Sequence, residues 1–405
     1  MTTESSRLRI RSVAFTISAI LMTVGICVAA TEQVIYNFPK TGSGAGVVLT
    51  GDAGRMYGTA PTGGKTACYL GCGLIFEFGG ANYHVLYEFS GGADGAYPTG
   101  KMVLDGIGDL YAAVNGGGAY GYGGVVKLSR GAVGWIETTL YSFNPNNGVD
   151  GSNPAGGLTM DAGGNLYGTT IYGGANGGIG TVYKLTNYRG TWTYSKLYGF
   201  FPRPDGQYPR GEVIFDSAGN IYGTTVYGGA SDLGSVYELS PGSGGTWTER
   251  IIYTFDGTYG QTPEGPVSMD AAGNLYCLTN SGGARSEGTA MELTPNSNGT
   301  WSPVLLHSFG GQGDGGFPNG GLTPGGGGAF YGTTFIGGAN NGGVVFRLKQ
   351  QSNGQWSESL LHSFSLANDG YSPVSGVTVG PGNALFGGTG YGGTNSDGVI
   401  YEVTP

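Results

Sequence analysis

The sequence predicts an all-β protein, a seven-bladed β-propeller with four-stranded blades, and three repeated elements lead to this prediction. The first is the "LYGTT" element, whose aromatic residue recurs every 54 to 56 residues. The second is an aromatic residue or His two positions before Phe, and the third is a Gly-initiated apolar stretch such as "GTVYKL". Each element occurs seven times. The aromatic residues of the first element are Tyr57, Tyr111, Tyr167, Tyr222, Tyr276, Tyr331 and Phe386.

One repeat divides into four short strands separated by turn residues. In the third copy we predict the strands "AGGLTMD", "NLYGTTIYG", "GTVYKLT" and "TWTYSKLYGF". The D-x-x-G-N turn from Asp161 to Asn165 joins the first two, because Asp and Asn bond their own backbone in tight turns and Gly accepts positive φ. Both faces of these strands carry apolar or aromatic side chains, and radially packed blades cover both faces of a sheet. The five Trp residues recur six positions before the second element, which indicates packing between blades.

The ring is predicted to close through the two ends of the mature chain. The seventh repeat lacks a fourth strand, whereas "TEQVIYNF" after residue 30 is a strand without a repeat. Pairing of residues 31–38 with the strand from Val399 to Val403 would complete the last blade and leave no exposed sheet edge. We therefore expect one domain over residues 31–405, with repeats that start near residues 36, 87, 141, 198, 253, 307 and 362. A solenoid is the alternative, but it would need capping repeats.

Residues 1–30 have the pattern of a secretory signal peptide. Three Arg residues precede an apolar stretch, and Val28 and Ala30 supply the small residues of a cleavage site before Thr31. We expect a secreted, periplasmic or cell-surface bacterial protein without membrane contact after cleavage. An uncleaved anchor is the alternative, because the apolar stretch approaches the ~20 residues that span a bilayer.

The composition favours an ordered, acidic and extracellular chain. Gly accounts for 86 of 405 residues, but 12% aromatic residues provide core material that disordered chains lack. Removal of residues 1–30 changes the formal net charge from -9 to -11, which disfavours nucleic acid and anionic membranes as partners. In an oxidising compartment Cys68 and Cys72 are expected to form a disulfide, with Cys277 as a buried thiol. We expect a monomer.

The stretch "GGLTMDAGGNLYGTTIYGGANGGIGTVYKL" resembles the GloVer-type tandem repeat of exported bacterial proteins, and related units cover nearly all of residues 36–405. Seven copies with matched spacing make this resemblance specific to one type of repeat. It implies a secreted or surface-exposed repeat protein and carries no activity with it. The sixth and seventh copies depart from the pattern, with Gly325 and Gly380 in place of the turn Asp.

The D-G-x-x-P motif connects the fourth strand of one blade to the first strand of the next, and we expect it at the mouth of the central channel. Its Asp residues would form a carboxylate ring, and aromatic residues on the same segments are candidates for stacking on a ligand. The alternative is structural, with each Asp bonded to the backbone of its own turn. The candidate ligand-binding residues are Asp94, Tyr97, Asp150, Asp205, Tyr208, Tyr259, Asp314, Phe317, Asp369 and Tyr371.

No cofactor is expected apart from Ca²⁺, which binds carboxylate and amide oxygens. The candidate metal ligands are Asn144, Asn146 and Asp150 in "NPNNGVDG". This segment lacks the bidentate Glu of a calcium loop at the usual spacing.

We predict a non-catalytic binding module for an extracellular carbohydrate or a surface protein, with the D-G-x-x-P loops as the recognition face. No catalytic residue stands out, because His84 is the one His outside the repeated aromatic positions. The alternative is a carbohydrate-active hydrolase or lyase with paired carboxylates at the channel mouth. Glu212 and Glu264 lie near the same connections, but the sequence does not select a pair.

Overall fold

The computed structural model describes residues 30–39, 48–52, 55–79, 82–174, 177–310, 313–365 and 368–405. The signal peptide predicted over residues 1–30 lies outside this part of the chain, apart from Ala30. Within the described ranges no helix is long and apolar enough to cross a membrane.

The described residues form seven antiparallel blades in a ring, and the predicted propeller is confirmed. The first strand of the chain is β1 (Thr31–Asn37). Blade 1 contains β2 (Val48–Asp52), β3 (Arg55–Ala60), β4 (Leu74–Gly79) and β5 (Asn82–Glu88). Blade 2 contains β6 (Ala96–Leu104), β7 (Leu110–Gly116), β8 (Gly124–Gly131) and β9 (Gly134–Ser142). Blade 3 contains β10 (Gly151–Pro154), β11 (Thr159–Met160), β12 (Leu166–Gly173), β13 (Thr181–Tyr188) and β14 (Thr191–Gly199). Blade 4 contains β15 (Gly206–Gln207), β16 (Ile214–Phe215), β17 (Ile221–Thr225), β18 (Tyr227–Gly228), β19 (Ser235–Pro241) and β20 (Trp247–Thr254).

The second half of the ring repeats this arrangement. Blade 5 contains β21 (Ser268–Met269), β22 (Leu275–Thr279), β23 (Thr289–Pro295) and β24 (Trp301–Ser308). Blade 6 contains β25 (Gly315–Pro324), β26 (Ala329–Gly337), β27 (Val344–Gln350) and β28 (Trp356–Ser363). Blade 7 contains β29 (Tyr371–Pro373), β30 (Thr378–Val379), β31 (Leu385–Tyr391) and β32 (Val399–Thr404), followed in space by β1. Short 3-10 turns occupy Pro145–Asn147, Ser243–Gly245, Gly326–Gly328 and Pro381–Asn383.

The first strand of the mature chain closes the ring, as the sequence predicts. Strand β1 pairs antiparallel with β32, and Thr31 lies opposite Thr404. Beyond the strand, the backbone N–H of Phe38 donates to the carbonyl of Gly398 at 3.1 Å. This pairing gives blade 7 its outermost strand and covers an edge that would otherwise be free.

The D-x-x-G-N turn is held by the carboxylate of its Asp. In blade 3 the backbone N–H groups of Gly163 and Asn165 donate to Asp161 Oδ1, each at 2.9 Å. The hydroxyl of Tyr167 donates to Asp161 Oδ2 at 2.9 Å, so the tyrosine of LYGTT stabilises the turn that precedes it. Burial raises the pKa of Asp161, but these bonds outweigh that effect and hold the pKa below its usual value. In the sixth copy, where Gly325 replaces the Asp, the Tyr331 ring lies over the glycine instead.

Each blade contributes a completely buried Phe from the second repeated element. These residues are Phe38, Phe89, Phe143, Phe200, Phe255, Phe309 and Phe364, each with 0% of its surface exposed. Trp side chains pack across neighbouring blades, as when Trp192 meets the Tyr111 ring edge-to-face with centroids 6.0 Å apart. The core is therefore a set of apolar layers between adjacent sheets.

The Gly of LYGTT makes room for a ring on the third strand. In blade 6 a Cβ added to Gly332 would meet the Phe346 ring at 2.5 Å, and the two residues are direct cross-strand partners. Blade 5 has Cys277 in the glycine position, opposite the flexible Met291 rather than a ring. The predicted spare thiol, buried and unbonded, thus fills space that an aromatic residue takes elsewhere.

The D-G-x-x-P motif begins the innermost strand, whereas the sequence predicts a connecting loop. In blade 3, Ser152 pairs with Tyr172 and Pro154 pairs with Thr170. Strand β11 then continues the pairing further along β12. The motif adopts strand geometry because the long second strand offers it backbone partners beyond the predicted first strand.

Candidate functional site

The five Asp residues of the D-G-x-x-P motifs bond to the outermost strand of the preceding blade. Each carboxylate accepts a hydrogen bond from a Tyr hydroxyl or lies 3.0–3.1 Å from a His Nε2 on that strand. It also accepts a backbone N–H just beyond the strand. We call this arrangement the clasp. The clasp pairs are Tyr87 with Asp94, Tyr141 with Asp150, Tyr198 with Asp205, His307 with Asp314, and His362 with Asp369.

The clasp carboxylates are partly or fully buried. Asp150 is 2% exposed, and its Oδ2 accepts from both the Tyr141 hydroxyl and the Asn144 backbone N–H. Burial raises the pKa of Asp94, but bonds from Ser90 and Tyr87 outweigh it and lower the pKa overall. These contacts agree with the structural alternative, in which each Asp bonds the backbone of its own turn, and they add a contact with a Tyr or His side chain of the preceding blade.

The residue before the motif proline adopts a left-handed backbone conformation in six blades. A residue before Pro is normally extended, and a positive φ at a residue other than Gly is unfavourable by about 1 kcal/mol or more. In compensation, its backbone N–H donates to a carbonyl of the preceding blade, as from Tyr208 to Ile179 at 2.9 Å. The residues and their φ angles are Tyr97 (57°), Asn153 (56°), Tyr208 (57°), Thr262 (53°), Phe317 (53°) and Ser372 (54°).

This backbone conformation presents a row of tyrosine rings on blades 3 and 4. Tyr208 meets Tyr172 edge-to-face with ring centroids 5.6 Å apart and meets Tyr227 in the same way at 6.1 Å. Tyr172 and Tyr227 are 47% and 45% exposed. We call these three residues the tyrosine platform. On blade 7, Tyr371 stacks on Tyr391 with centroids 5.4 Å apart.

The other predicted aromatic candidates are partly buried, as Tyr208 is. Tyr97 and Tyr259 lie against the cores of their blades, as Tyr208 does. Among the described residues, Tyr97, Tyr259 and Phe317 make no ring contact with the tyrosine platform.

Two of the three predicted calcium ligands, Asn144 and Asp150, have side-chain oxygens that accept hydrogen bonds from the protein. Asn144 Oδ1 accepts the backbone N–H of Asn146 at 3.3 Å, and Asp150 belongs to a clasp. These contacts are those of a capped 3-10 turn. Cys68 and Cys72 are joined by a disulfide.

Three glutamates with an unpartnered Oε1 atom lie beside clasps and were not singled out by the sequence analysis; a fourth, Glu137, accepts a hydrogen bond from the Thr139 hydroxyl instead. Each glutamate lies on the outermost strand of one blade and faces the clasp of the preceding blade. We call the interface between two adjacent blades a seam. Burial is the main cause that raises the pKa of Glu249 to about 8 and the pKa values of Glu32 and Glu358 to about 7, with a clasp Asp adding to each shift. Their Oε1 atoms have no hydrogen-bond partner among the described residues. The repeat spacing could have identified two of these glutamates, because Glu249 and Glu358 each stand two residues after a repeated Trp.

A cavity of about 1120 Å³ opens at the other end of the innermost strands, on the D-x-x-G-N side of blades 1 to 4. Burial raises the pKa of Glu212 there, against the opposing effect of Lys101. Two Asp residues of the cavity are held by their own turns. The charged lining residues are Arg55, Lys101, Asp105, Arg130, Asp161 and Glu212.

A family model for the Gloeobacter/Verrucomicrobia repeat matches residues 42–267 and 234–405, which is nearly the whole ring. The chain belongs to this repeat family. The seven copies described above are thus copies of a Gloeobacter/Verrucomicrobia repeat, as the sequence resemblance predicts. No curated protein sequence matches the chain.

Solved structures similar to this Gloeobacter/Verrucomicrobia repeat protein include a puromycin-hydrolyzing peptidase of Mycobacterium tuberculosis. Identity is 10%, with a TM-score of 0.54 over 91% of this chain and 52% of the peptidase. A "putative 6-phosphogluconolactonase" of Bacteroides uniformis has 12% identity and a TM-score of 0.49 over 77% and 83% of the two chains. A "putative oxidoreductase (glucose dehydrogenase)" of Thermus thermophilus has 16% identity and a TM-score of 0.44 over 76% and 96%. At these identities the likeness concerns the fold alone.

Proposed function

We propose that this protein is an exported, monomeric, non-catalytic binding module whose ligand is an extracellular carbohydrate. The tyrosine platform is the observation that carries the proposal. Tyr172 and Tyr227 are nearly half exposed and can stack on a sugar ring, whereas Tyr208 is partly buried and supports both rings; the three hydroxyls suit a hydroxyl-rich ligand. The platform lies on the D-G-x-x-P face, which is the recognition face that the sequence predicts. On this face we assign the ligand contacts to the aromatic rings rather than to the carboxylates.

The rigidity of the platform supports recognition without chemistry. The Tyr208 backbone is held by its N–H bond to Ile179, and Asp205 beside it is held by Tyr198. A ligand would then meet rings that need little reordering, which lowers the entropic penalty of binding. A clasp carboxylate, by contrast, would have to leave its own bonds before acting as an acid or base.

A glycan array followed by calorimetry with the strongest glycan tests this proposal. We expect Tyr208→Ala to weaken binding about tenfold or more, because it removes the central ring. The matched control is Tyr188→Ala, which removes a 69% exposed tyrosine from the far end of blade 3. Binding of no glycan by the purified protein, or an equal loss in the control, would overturn the proposal, and a surface protein would then be the ligand to seek.

Export is supported by the signal pattern of residues 1–30 and by the Cys68–Cys72 disulfide, which suits an oxidising compartment. We expect the exported protein to begin at Thr31 when its N-terminus is sequenced. An N-terminus at residue 1 would support the uncleaved anchor instead.

The second candidate function is a carbohydrate-active hydrolase or lyase, and the cavity at the opposite face favours it. Glu212 has a pKa raised by burial, as a general acid requires. A reducing-end assay on the glycans that bind would detect new chain ends. Turnover that is lost in Glu212→Gln would replace the binding proposal, whereas absence of turnover would leave the binding module as the function.

A further inference from the structure

We propose that Glu32, His362 and Asp369 form a binding site for Zn²⁺ at the seam between blades 6 and 7. One ligand atom from each residue lies within 4.8 Å of the others. His362 Nε2 and Asp369 Oδ2 are 3.0 Å apart, which is a separation that two ligands of one tetrahedral ion can have. No such site follows from the family, the fold or the predicted calcium turn.

The kinds of ligand favour zinc over calcium. One imidazole nitrogen and two carboxylates suit Zn²⁺, whereas Ca²⁺ takes six to eight oxygen ligands. The orientation of Asp369 is already set, because its Oδ1 accepts from the backbone N–H and the hydroxyl of Ser365. Bonds of this kind hold metal ligands in position in known sites. Asp369 and His362 are 16% and 17% exposed at the side chain, so an ion has a path from solvent.

Two polar groups beside these ligands lack hydrogen-bond partners within the described part of the chain. One is Oε1 of Glu32, and the other is the hydroxyl of Tyr401, whose side chain is 0% exposed. The Glu32 carboxylate lies close enough to raise the pKa of that hydroxyl, after the larger effect of burial. A buried polar atom without a partner is unfavourable, and a cation would give Glu32 one.

The neighbouring seam between blades 5 and 6 is a natural control. It also has a clasp His and Asp, in His307 and Asp314, and a facing glutamate, Glu358. Its third-strand residue is Phe346, which brings no hydroxyl. Within the described ranges, the ligand atoms of Glu32, His362 and Asp369 all lie within 4.8 Å of one another, whereas those of Glu358, His307 and Asp314 do not. We therefore place the ion at one seam and not at both.

Zinc at this position would hold the ring closed. Glu32 belongs to β1, whereas His362 and Asp369 belong to the last strand of blade 6 and the segment that follows it. An ion bound by all three would tie the N-terminal strand to a blade with which it shares no sheet.

Calorimetric titration of the purified, chelator-treated protein with zinc sulfate tests the site. We expect one equivalent to bind and Glu32→Gln to weaken the affinity at least about 100-fold, since loss of even an outer-shell partner weakens metal sites 10- to 100-fold. Glu358→Gln is the matched control and should bind zinc like the unmodified protein. Titration with Co²⁺ should give the intense visible absorption of a tetrahedral site, and this band should be absent in Glu32→Gln.

Hydrogen exchange supplies a readout that does not depend on affinity. Zinc should slow exchange of the amides of residues 31–37 and leave the outermost strand of blade 4 (Trp247–Thr254), which carries no zinc ligand, unchanged. His362→Gln provides a second variant in case Glu32→Gln does not fold, as judged by circular dichroism. The proposal is overturned if the unmodified protein binds no zinc, or if Glu358→Gln loses as much affinity as Glu32→Gln.

Discussion

The seam between blades 5 and 6 and the seam between blades 6 and 7 use the same clasp but differ in what surrounds it. Both join a His to an Asp, and both place a glutamate with a raised pKa beside that pair. They differ in the third-strand ring, which is Phe346 at one seam and Tyr401 at the other. They differ also in connectivity, because Glu358 lies within the chain and Glu32 lies on the closing strand. The repeat thus gives both seams the same backbone arrangement and the same clasp, and differences at single positions give each seam different polar groups.

The largest expected effect is loss of a clasp carboxylate, and it should be equal at the two seams. Asp314→Ala leaves His307 and the backbone N–H groups of Gly310 and Gly315 without their carboxylate partner. Asp369→Ala does the same to His362 and to the backbone N–H and hydroxyl of Ser365. We expect each to lower the free energy of unfolding by about 2 to 3 kcal/mol in metal-free protein. Urea unfolding with Asp256→Ala as control checks this, because the Asp256 carboxylate accepts the backbone N–H of Thr258 within its own turn. If the clasp variants lost less free energy of unfolding than Asp256→Ala does, the clasp would not be a source of stability.

The next effect sharpens the comparison of the rings. Gly332→Ala and Gly387→Ala place a methyl group against the Phe346 and Tyr401 rings. We expect each to lower the free energy of unfolding by about 1 to 3 kcal/mol through overpacking. The reverse change, Ala112→Gly in blade 2, faces a Val and should lose no more than about 1 kcal/mol through backbone entropy. If Gly332→Ala and Gly387→Ala left the free energy of unfolding unchanged or raised it, the ring would not be the reason for the glycine, because backbone entropy alone favours Ala over Gly.

A smaller effect concerns pH. Glu32 and Glu358 have folded-state pKa values of about 7, above the ordinary value of 4.5, so the folded state binds more protons between these pH values. The free energy of unfolding should therefore fall as pH rises from 4.5 to 7 and then level off. We expect about 1 kcal/mol per glutamate, because both side chains are partly exposed and solvent screens them.

Glutamine variants isolate this contribution. In chelator-treated protein, Glu32→Gln and Glu358→Gln should be more stable than the unmodified protein at pH 8 and equal to it at pH 4.5. His362 acts in the opposite direction, since burial lowers its pKa and its charging below pH 6.5 destabilises the fold. That contribution is present in both proteins and cancels in the difference. A constant difference from pH 4.5 to 8 would be inconsistent with the raised pKa values.

The smallest effect is removal of the hydroxyl that distinguishes the two seams. Tyr401→Phe gives blade 7 the ring that blade 6 already has. Because this hydroxyl has no partner in the described structure, its loss should change the free energy of unfolding by less than about 1 kcal/mol without zinc. Tyr183→Phe in blade 3, whose hydroxyl is also buried, is the control. A loss above about 2 kcal/mol confined to Tyr401→Phe would mean that the hydroxyl already has a partner at this seam.

Much of the fold was accessible from residue spacing. Seven copies of LYGTT predicted seven blades, and the strand after residue 30 predicted the pairing of β1 with β32. The turn role of Asp161 followed from its place before Gly and Asn. These predictions succeeded because each depends on contacts within one repeat or on one unpaired edge.

The site was less accessible, because its residues belong to different repeats. Asp205 and Tyr208 lie three residues apart, yet the Asp205 carboxylate bonds to the preceding outer strand and the Tyr208 ring contacts Tyr172 and Tyr227. Left-handed φ at Tyr208 separates the two, and the usual extended preference before Pro conceals it. Glu32 and His362 are 330 positions apart and meet only because the ring closes.

The sequence by itself determined the number of blades, the strand order within each blade and the closing pair, since these depend on alternation, turns and spacing. Only the tertiary structure decided which repeated Asp is engaged, which tyrosines form a platform and which glutamate meets a histidine. The physical reason is that repeat periodicity specifies contacts within a sheet, whereas the charge and burial of a side chain depend on the sheet packed against it.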